Sequence, residues 1–511
     1  MTENSWFRDY CEKTTSRSMK YFVMKDRSPA EKLFWILTFI CMISITFGAL
    51  KVLIEVGIDN PTIMFIENTE SAIRDIPFPS INICPSNQVR KWVWEKHMNT
   101  NSSYWENLQY YRAEVCSLDF YNYHGNNKYL KDYFDIDSIT NLIGNCSISC
   151  SEVFQSEVKW ENLTVPNFCR FIQPKMSPFG LCFTVNMMPS FQMFNSDYNE
   201  RYLNFFLKNN SYIGIERSAW NLDDGYPPSS ENDYLVNINP ARTSGVSNYH
   251  RLRLMINTMD QEFLSCSSGS FFFISLSHPA EYMMFDPRSF IKTDTYTKIQ
   301  ITPLVKKIDS QLKRHSPEAR KCYLLNERKL AIFQQYTQTN CNYECLLNET
   351  LTMCGCVYFD MAYLVASSVK ICGLTKQSCM LKARQSSYLP EMQKICKCLP
   401  TCSIVEYEIT YTSHYDDWTY MKSTNIVKNN SRGATIEFVF HKPYFTAYIS
   451  TSIVDFNSLI SNIGGLISLC LGFNLINLFE ILYIMIKMVG QTYTSNLNAN
   501  NLIILRQKRE T

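Results

Sequence analysis

FNSLISNIGGLISLCLGFNLINLFE, residues 456–480, runs for 24 residues from Phe456 to Phe479 without a charge and then meets Glu480. About 20 apolar residues at a 1.5 Å rise cross a bilayer core, so the stretch, continued to Met488, reads as a membrane helix. An ionisable residue near one end of a span is costly. It either faces a cavity or pathway or sits at the headgroup level, and composition leaves both open for Glu480. Gly464, Gly465 and Gly472 carry no side chain. They allow close helix packing, or they allow the helix to unwind. An unwound segment exposes carbonyls that can replace water around a small cation. Asn477 and Glu480 lie three and six residues beyond Asn474, roughly on one face.

A second apolar run lies near the other terminus. Leu33–Leu50 has no charge, and extension to Val56 admits Lys51 and Glu55. The run starts late and lacks a small-residue cleavage site, so it reads as an uncleaved membrane helix rather than a signal peptide. Lys13, Arg17, Lys20, Lys25, Arg27 and Lys32 precede it, and Lys487, Arg506, Lys508 and Arg509 follow the second run. Positive flanks mark the cytoplasmic side, so both termini are expected inside and the middle outside.

The middle has the chemistry of an oxidising compartment. Of 20 cysteines, all but Cys11, Cys41 and Cys470 fall between Cys84 and Cys402. All six Asn-x-Ser/Thr sequons, at Asn101, Asn145, Asn162, Asn209, Asn348 and Asn429, occupy residues 101–431 as glycosylation candidates. Cysteines and sequons sharing one segment point to an extracellular, disulfide-braced domain. The 17 cysteines there are odd in number, so at least one is free or pairs between chains.

Glycine is scarce, at 16 residues, and no repeat or low-complexity tract interrupts residues 57–455. They read as one compact domain with insertions. A helix is expected at Tyr104–Cys116, a strand at Phe271–Leu276, and a strand at Ile436–Phe440 leading into the second span. Cys341 and Cys345 are four apart and share a helix face, while Cys396 and Cys398 are two apart and share a strand face. If that strand returns antiparallel to the helix, Cys341 pairs with Cys398 and Cys345 with Cys396. Cys322–Cys402 then closes an outer rung. Metal ligation by the CxC and CxxxC spacings is the competing reading; extracellular placement favours disulfides.

A formal charge of +2 and the lack of a basic stripe give no nucleic-acid signature. No HExxH, GxSxG, phosphate loop or dinucleotide fingerprint is present, so no enzyme activity, metal or cofactor is expected. Two rivals remain to a cation path of this kind, one a receptor and one another type of two-span channel. A two-span surface receptor would need neither the Gly472-x-Asn474 pattern nor Glu480, and an ATP-gated trimer would need clustered extracellular cations.

Several motifs carry a family resemblance. Phe78-Pro79-Ser80-Ile81-Asn82-Ile83-Cys84 resembles the FPAxTxC signature of the degenerin/epithelial sodium channel family, and Gly180-Leu181-Cys182-Phe183-Thr184-Val185-Asn186 its GxCYTFN. Cys354-Gly355-Cys356-Val357 and Cys396-Lys397-Cys398-Leu399-Pro400-Thr401-Cys402 resemble its thumb cysteine motifs. Leu459–Leu466 resembles the start of its second span, and the match continues to Glu480. Trp220-Asn221-Leu222-Asp223-Asp224-Gly225-Tyr226-Pro227 is similar to a motif of the insect pickpocket branch.

The resemblance implies a trimer in the bilayer. Each subunit would have a cytoplasmic segment (1–32), a first membrane helix (33–56) and an α+β disulfide-rich extracellular domain (57–455, thumb ladder about 316–402). A second, pore-bearing helix (456–488) and a cytoplasmic tail (489–511) would follow. It implies a Cys84–Cys182 bridge and a thumb ladder of the pairs above. It leaves Cys116, Cys146, Cys150, Cys169, Cys266, Cys354, Cys356, Cys372 and Cys379 without assigned partners. The family's Gly-x-Ser filter falls on Gly472-Phe473-Asn474, with Asn477 and Glu480 as rings below it. Ser461 matches a gating position, with Gly464 and Gly465 beside it, and Ser468 lies near the amiloride-binding region. The family's His-Gly gating pair falls on Arg17-Ser18. The implied function is an amiloride-sensitive-type sodium channel subunit, in a homo- or heterotrimer, opened by an extracellular ligand or other stimulus. The alternative is a partner-dependent or non-conducting subunit acting as a sensory receptor.

Overall fold

Pro303 sits in the middle of the longest strand of the protein, Thr295–Ile308, a position a central strand normally forbids because proline has no N–H to give. The pairing resolves this. On one side the antiparallel strand Ile404–Tyr415 runs alongside from Thr295 to Lys306. On the other side the parallel partner Gly433–Phe440 ends opposite Ile301, and the next, Ala447–Ser452, starts opposite Val305. Pro303 falls in the gap between the two, where no ladder bond is required on that side.

The computed structural model describes residues 11, 14, 21, 28–59, 62–98, 100, 102–116, 131–154, 158–206, 220–227, 240–266, 269–282, 289–388, 396–416, 432–453, 456–487 and 489–490. The chain divides into two units. One comprises Met1–Ile63, Ser310–Arg320 and Thr451–Thr511; the other comprises Met64–Asp309 and Lys321–Ser450.

The second unit is built on two large sheets, three two-stranded ones and helices, an α+β arrangement among the described residues. The long strand belongs to an eight-stranded sheet, and a five-stranded antiparallel sheet accompanies it. All eight residues of Gly433–Phe440 are buried. The expected strand at Ile436–Phe440 is therefore present. It does not lead into the second apolar run: it is a sheet interior, and Tyr444–Phe445 and Ala447–Ser452 follow it. Its one charge, Glu437, is 1 % exposed. It is tolerated because Arg251 Nη1 donates to it at 2.6 Å and the Tyr296 hydroxyl at 2.5 Å, which offsets the cost of burying a carboxylate.

In the five-stranded sheet, Ser80–Pro85 pairs with Gly180–Val185, Ile83 opposite Phe183. The next pair in that register is Cys84 and Cys182. Their Cα atoms lie 4.3 Å apart and the two are bridged, close to the roughly 4.5 Å of a non-hydrogen-bonded antiparallel pair. The expected helix at Tyr104–Cys116 forms as Ser103–Cys116, and the expected strand at Phe271–Leu276 as Phe271–Ser277.

The helix Gln338–Cys354 starts at Thr337, whose hydroxyl accepts the Asn340 N–H, and stops at Gly355 with φ +69°, a left-handed position suited to glycine. It carries Cys341 and Cys345. The bridges are Cys341–Cys398, Cys345–Cys396 and Cys322–Cys402. The segment carrying Cys396 and Cys398 is not a strand, however. Lys397 between them has φ +49°, so two cysteines face one helix across a tight bend instead of along a pleat. The remaining bridges are Cys116–Cys266, Cys150–Cys169, Cys354–Cys379 and Cys356–Cys372. Of the 17 cysteines between the apolar runs, Cys146 is the unbridged one, and it is buried.

The aromatic content, 14% of the chain, goes largely into the core around Tyr202, Tyr282, Phe333 and Tyr363. The same core buries a carboxyl pair. Burial, and then the charge of Asp360, pushes Glu114 up to about 7; burial pushes Asp360 up to about 6, against the opposing pull of Arg384. Both folded values lie above the unfolded ones, so the folded state binds more protons. The stability they contribute is full below the unfolded carboxyl range and is lost as pH rises through about 6 to 7. In the purified full chain the pair is therefore expected to favour folding at pH 5 over pH 7.5, against the opposite pull of His278 and Lys175, whose pKa values burial lowers. Glu114→Gln should reduce that preference, measured by thermal unfolding at both pH values.

Candidate functional site: a broken apolar helix

The first unit contains the two apolar runs. The first is the helix Pro29–Asp59, of which Pro29–Glu55 is long and apolar enough to cross a bilayer. It begins four residues earlier than the uncharged run at Leu33. Ser28-Pro29-Ala30-Glu31 is a helix-start pattern: the Ser28 hydroxyl accepts the Glu31 N–H at 3.3 Å, and proline occupies the first helical position. Lys51 and Glu55, the charges that interrupt the far end, are a turn apart and pair at 3.6 Å.

The second run is two helices, Asn457–Leu471 and Leu475–Lys487, bent by 77° at the break between them. The local sequence explains where it breaks. The Gly472 N–H donates to the Ser468 carbonyl at 3.0 Å, and Gly472 then turns to φ +62°. This is the left-handed helix stop, in which the residue after the last helical one bonds back four positions. Two residues later the chain restarts. Asn474 is the cap of the second helix: its Oδ1 accepts the Asn477 N–H at 3.1 Å, a proton shared with the Asn474 carbonyl. In return the Asn474 N–H donates to Asn477 Oδ1 at 2.9 Å. That is the reciprocal arrangement of a capping box, with asparagine in both roles. A stop at Gly472 and a start at Asn474 leave Phe473 alone between two helices.

Sequence reasoning gave Asn477 and Glu480 to rings around a pathway. Within one chain their side chains are engaged. Asn477 is buried, and its Nδ2 donates to Thr14 Oγ1 at 3.4 Å. The Thr14 hydroxyl donates to Glu480 Oε2 at 2.8 Å. Asn474, Asn477, Thr14 and Glu480 therefore form one connected polar chain. Thr14 was not legible: it lies 463 residues from Asn477, and no local pattern marks it. Arg17 and Ser18, the residues singled out in that N-terminal stretch, lie outside the described residues.

Ser461, Gly464, Gly465 and Ser468 all lie on the helix Phe456–Leu471 and are exposed. An added Cβ at Gly464 or Gly465 would meet nothing within 4 Å. Among the described residues, close packing inside this chain therefore does not account for the glycine pair. Of the sequons, Asn145, Asn162 and Asn348 are exposed. Asn162 stands with Glu161 at the tip of a two-residue hairpin, both with positive φ. Asn101, Asn209 and Asn429 lie outside the described residues.

A membrane-type first helix, a second apolar run broken at a glycine, and an α+β unit with eight disulfides are the features of a disulfide-rich membrane-protein class. A profile of the family described as "Amiloride-sensitive sodium channel" matches residues 10–484. The chain belongs to that family, whose members are channels. Among relatives, it is 22% identical to pickpocket protein 28 of Drosophila melanogaster over 93% of this chain and 77% of that protein. It is 20% identical to the sodium channel protein Nach of Drosophila melanogaster over 95% of this chain and 88% of that protein. The match to pickpocket protein 11 of Drosophila melanogaster is 26% identical, covering 39% of this chain and 38% of that protein.

Proposed function

We propose that this chain is a subunit of a trimeric, sodium-selective, amiloride-sensitive-type channel of the plasma membrane, crossing twice with both termini cytoplasmic and opened by an extracellular stimulus. The observation that carries the reading is the Gly472–Asn474 break. A helix that stops and restarts inside an uncharged run withholds backbone carbonyls from the helical ladder, and membranes tolerate that where the backbone lines a water-filled path. Three copies would place Gly472 and Phe473 carbonyls around a cation, with Glu480 drawing cations to the inner side. Ser461 would form the gate, with Gly464 and Gly465 allowing neighbouring copies to approach, and Ser468 would lie in the blocker region. Arg17 and Ser18 would modulate gating. The six sequons would carry glycans.

The gate is testable directly. Ser461→Cys, modified by a bulky thiol reagent, is expected to raise resting sodium current about tenfold or more, the effect of shifting a gate by roughly 1.4 kcal/mol. An unchanged current in cells with surface protein confirmed would sink the assignment of Ser461. A second reading is favoured by Asn474 standing where the family filter has serine. In that reading the chain needs a related partner subunit to conduct, and co-expression separates the two.

A further inference from the structure

We propose that Asn477 is a positioning residue which, with Asn474, fixes the backbone break at Gly472–Asn474, so that the carboxamide at the third filter position holds the helix start and does not ligate the permeant ion. The inference rests on the reading of this break as the cation path. Were Asn474 to continue the ladder, its N–H would return to the Cys470 carbonyl, four residues back. It is donated instead to Asn477 Oδ1 at 2.9 Å. That bond competes with closure of the helix over the break. The reciprocal bond, from the Asn477 N–H to Asn474 Oδ1, occupies one of the two lone pairs of the side-chain oxygen and ties it to the helix start, in competition with a cation.

The orientation of the Asn477 amide is set independently. The Thr14 hydroxyl gives its proton to Glu480 at 2.8 Å, so toward Asn477 it can only accept. That requires Nδ2 to face Thr14, as it does at 3.4 Å, and leaves Oδ1 to face the Asn474 N–H. Three elements thus converge on one rotamer. An aspartate at 477 would keep the acceptor, whereas an alanine would remove it.

The test has two arms on the full-length chain. Hydrogen exchange in lipid nanodiscs reads the Asn474 amide. It should exchange about five-fold faster in Asn477→Ala than in the wild type, the fold-change to which about 1 kcal/mol of lost capping converts. Asn477→Asp should keep it slow. Equal exchange in wild type and Asn477→Ala overturns the cap, whether or not the protein conducts. In cells, Asn477→Ala should shift the sodium-to-potassium permeability ratio, read from reversal potentials, at least about threefold. Slower exchange in the wild type with an unmoved permeability ratio overturns the positioning role. A wild type without current, despite slow exchange, rejects the pore reading and leaves the cap standing.

Discussion

Replacing Cys84 and Cys182 together by serine is expected to remove most of the protein from the cell surface. The bridge joins neighbouring strands of the five-stranded sheet across a separation of 98 residues. Loop-closure entropy for a loop of that length is about 4–5 kcal/mol, a large part of the stability of an ordinary domain. Both sulfurs are fully buried, and Phe273 packs against them. Two serines would place hydroxyls where the Ser177 hydroxyl already lies 3.0 Å from the Cys182 sulfur, so the loss comes chiefly from the opened loop. Surface biotinylation against total protein measures it. Wild-type surface levels in the double-serine variant would show that the sheet holds without the bridge.

The second large effect is expected at the break. Gly472→Val places a β-branched residue at φ +62°, a conformation such side chains essentially avoid. Strain of about 1–3 kcal/mol follows, and the chain can relieve it by letting the helix run on through Phe473. The expected result is a loss of current of roughly tenfold or more with surface protein retained, because the substitution lies outside the disulfide-braced unit. Whole-cell current normalised to surface protein separates the two. An undiminished current would mean that the left-handed stop is not needed for conduction.

Parts of this architecture were legible because they follow local periods. Cys341 and Cys345 are one helical turn apart, and the helix Gln338–Cys354 presents both to one partner segment. The partner segment was misread, because a two-residue spacing suits a strand or a tight bend equally, and Lys397 chose the bend. Thr295–Ile308, the strand that organises the larger sheet, gave no clean signal. It contains Pro303 and three lysines, and its place depends on partners that change along its length. The buried Glu437 is likewise explained by Arg251, Arg253 and Tyr296, none of them near it in sequence.

At the candidate site the same division holds. Gly472 and Asn474 are local stop and start residues, so the break could be read in sequence order. The roles of the side chains could not. Asn477 and Glu480 appeared as a polar face three residues apart; what they touch includes Thr14, near the opposite end of the chain. A contact over more than 460 residues leaves no periodic trace.

The most direct test of the pore reading is to express this chain alone in cells lacking related channels. Current would be recorded in sodium and then potassium, with and without amiloride, and with surface protein confirmed. The account predicts an amiloride-blocked current carried preferentially by sodium. Silence at the surface, both alone and with related subunits, would contradict it.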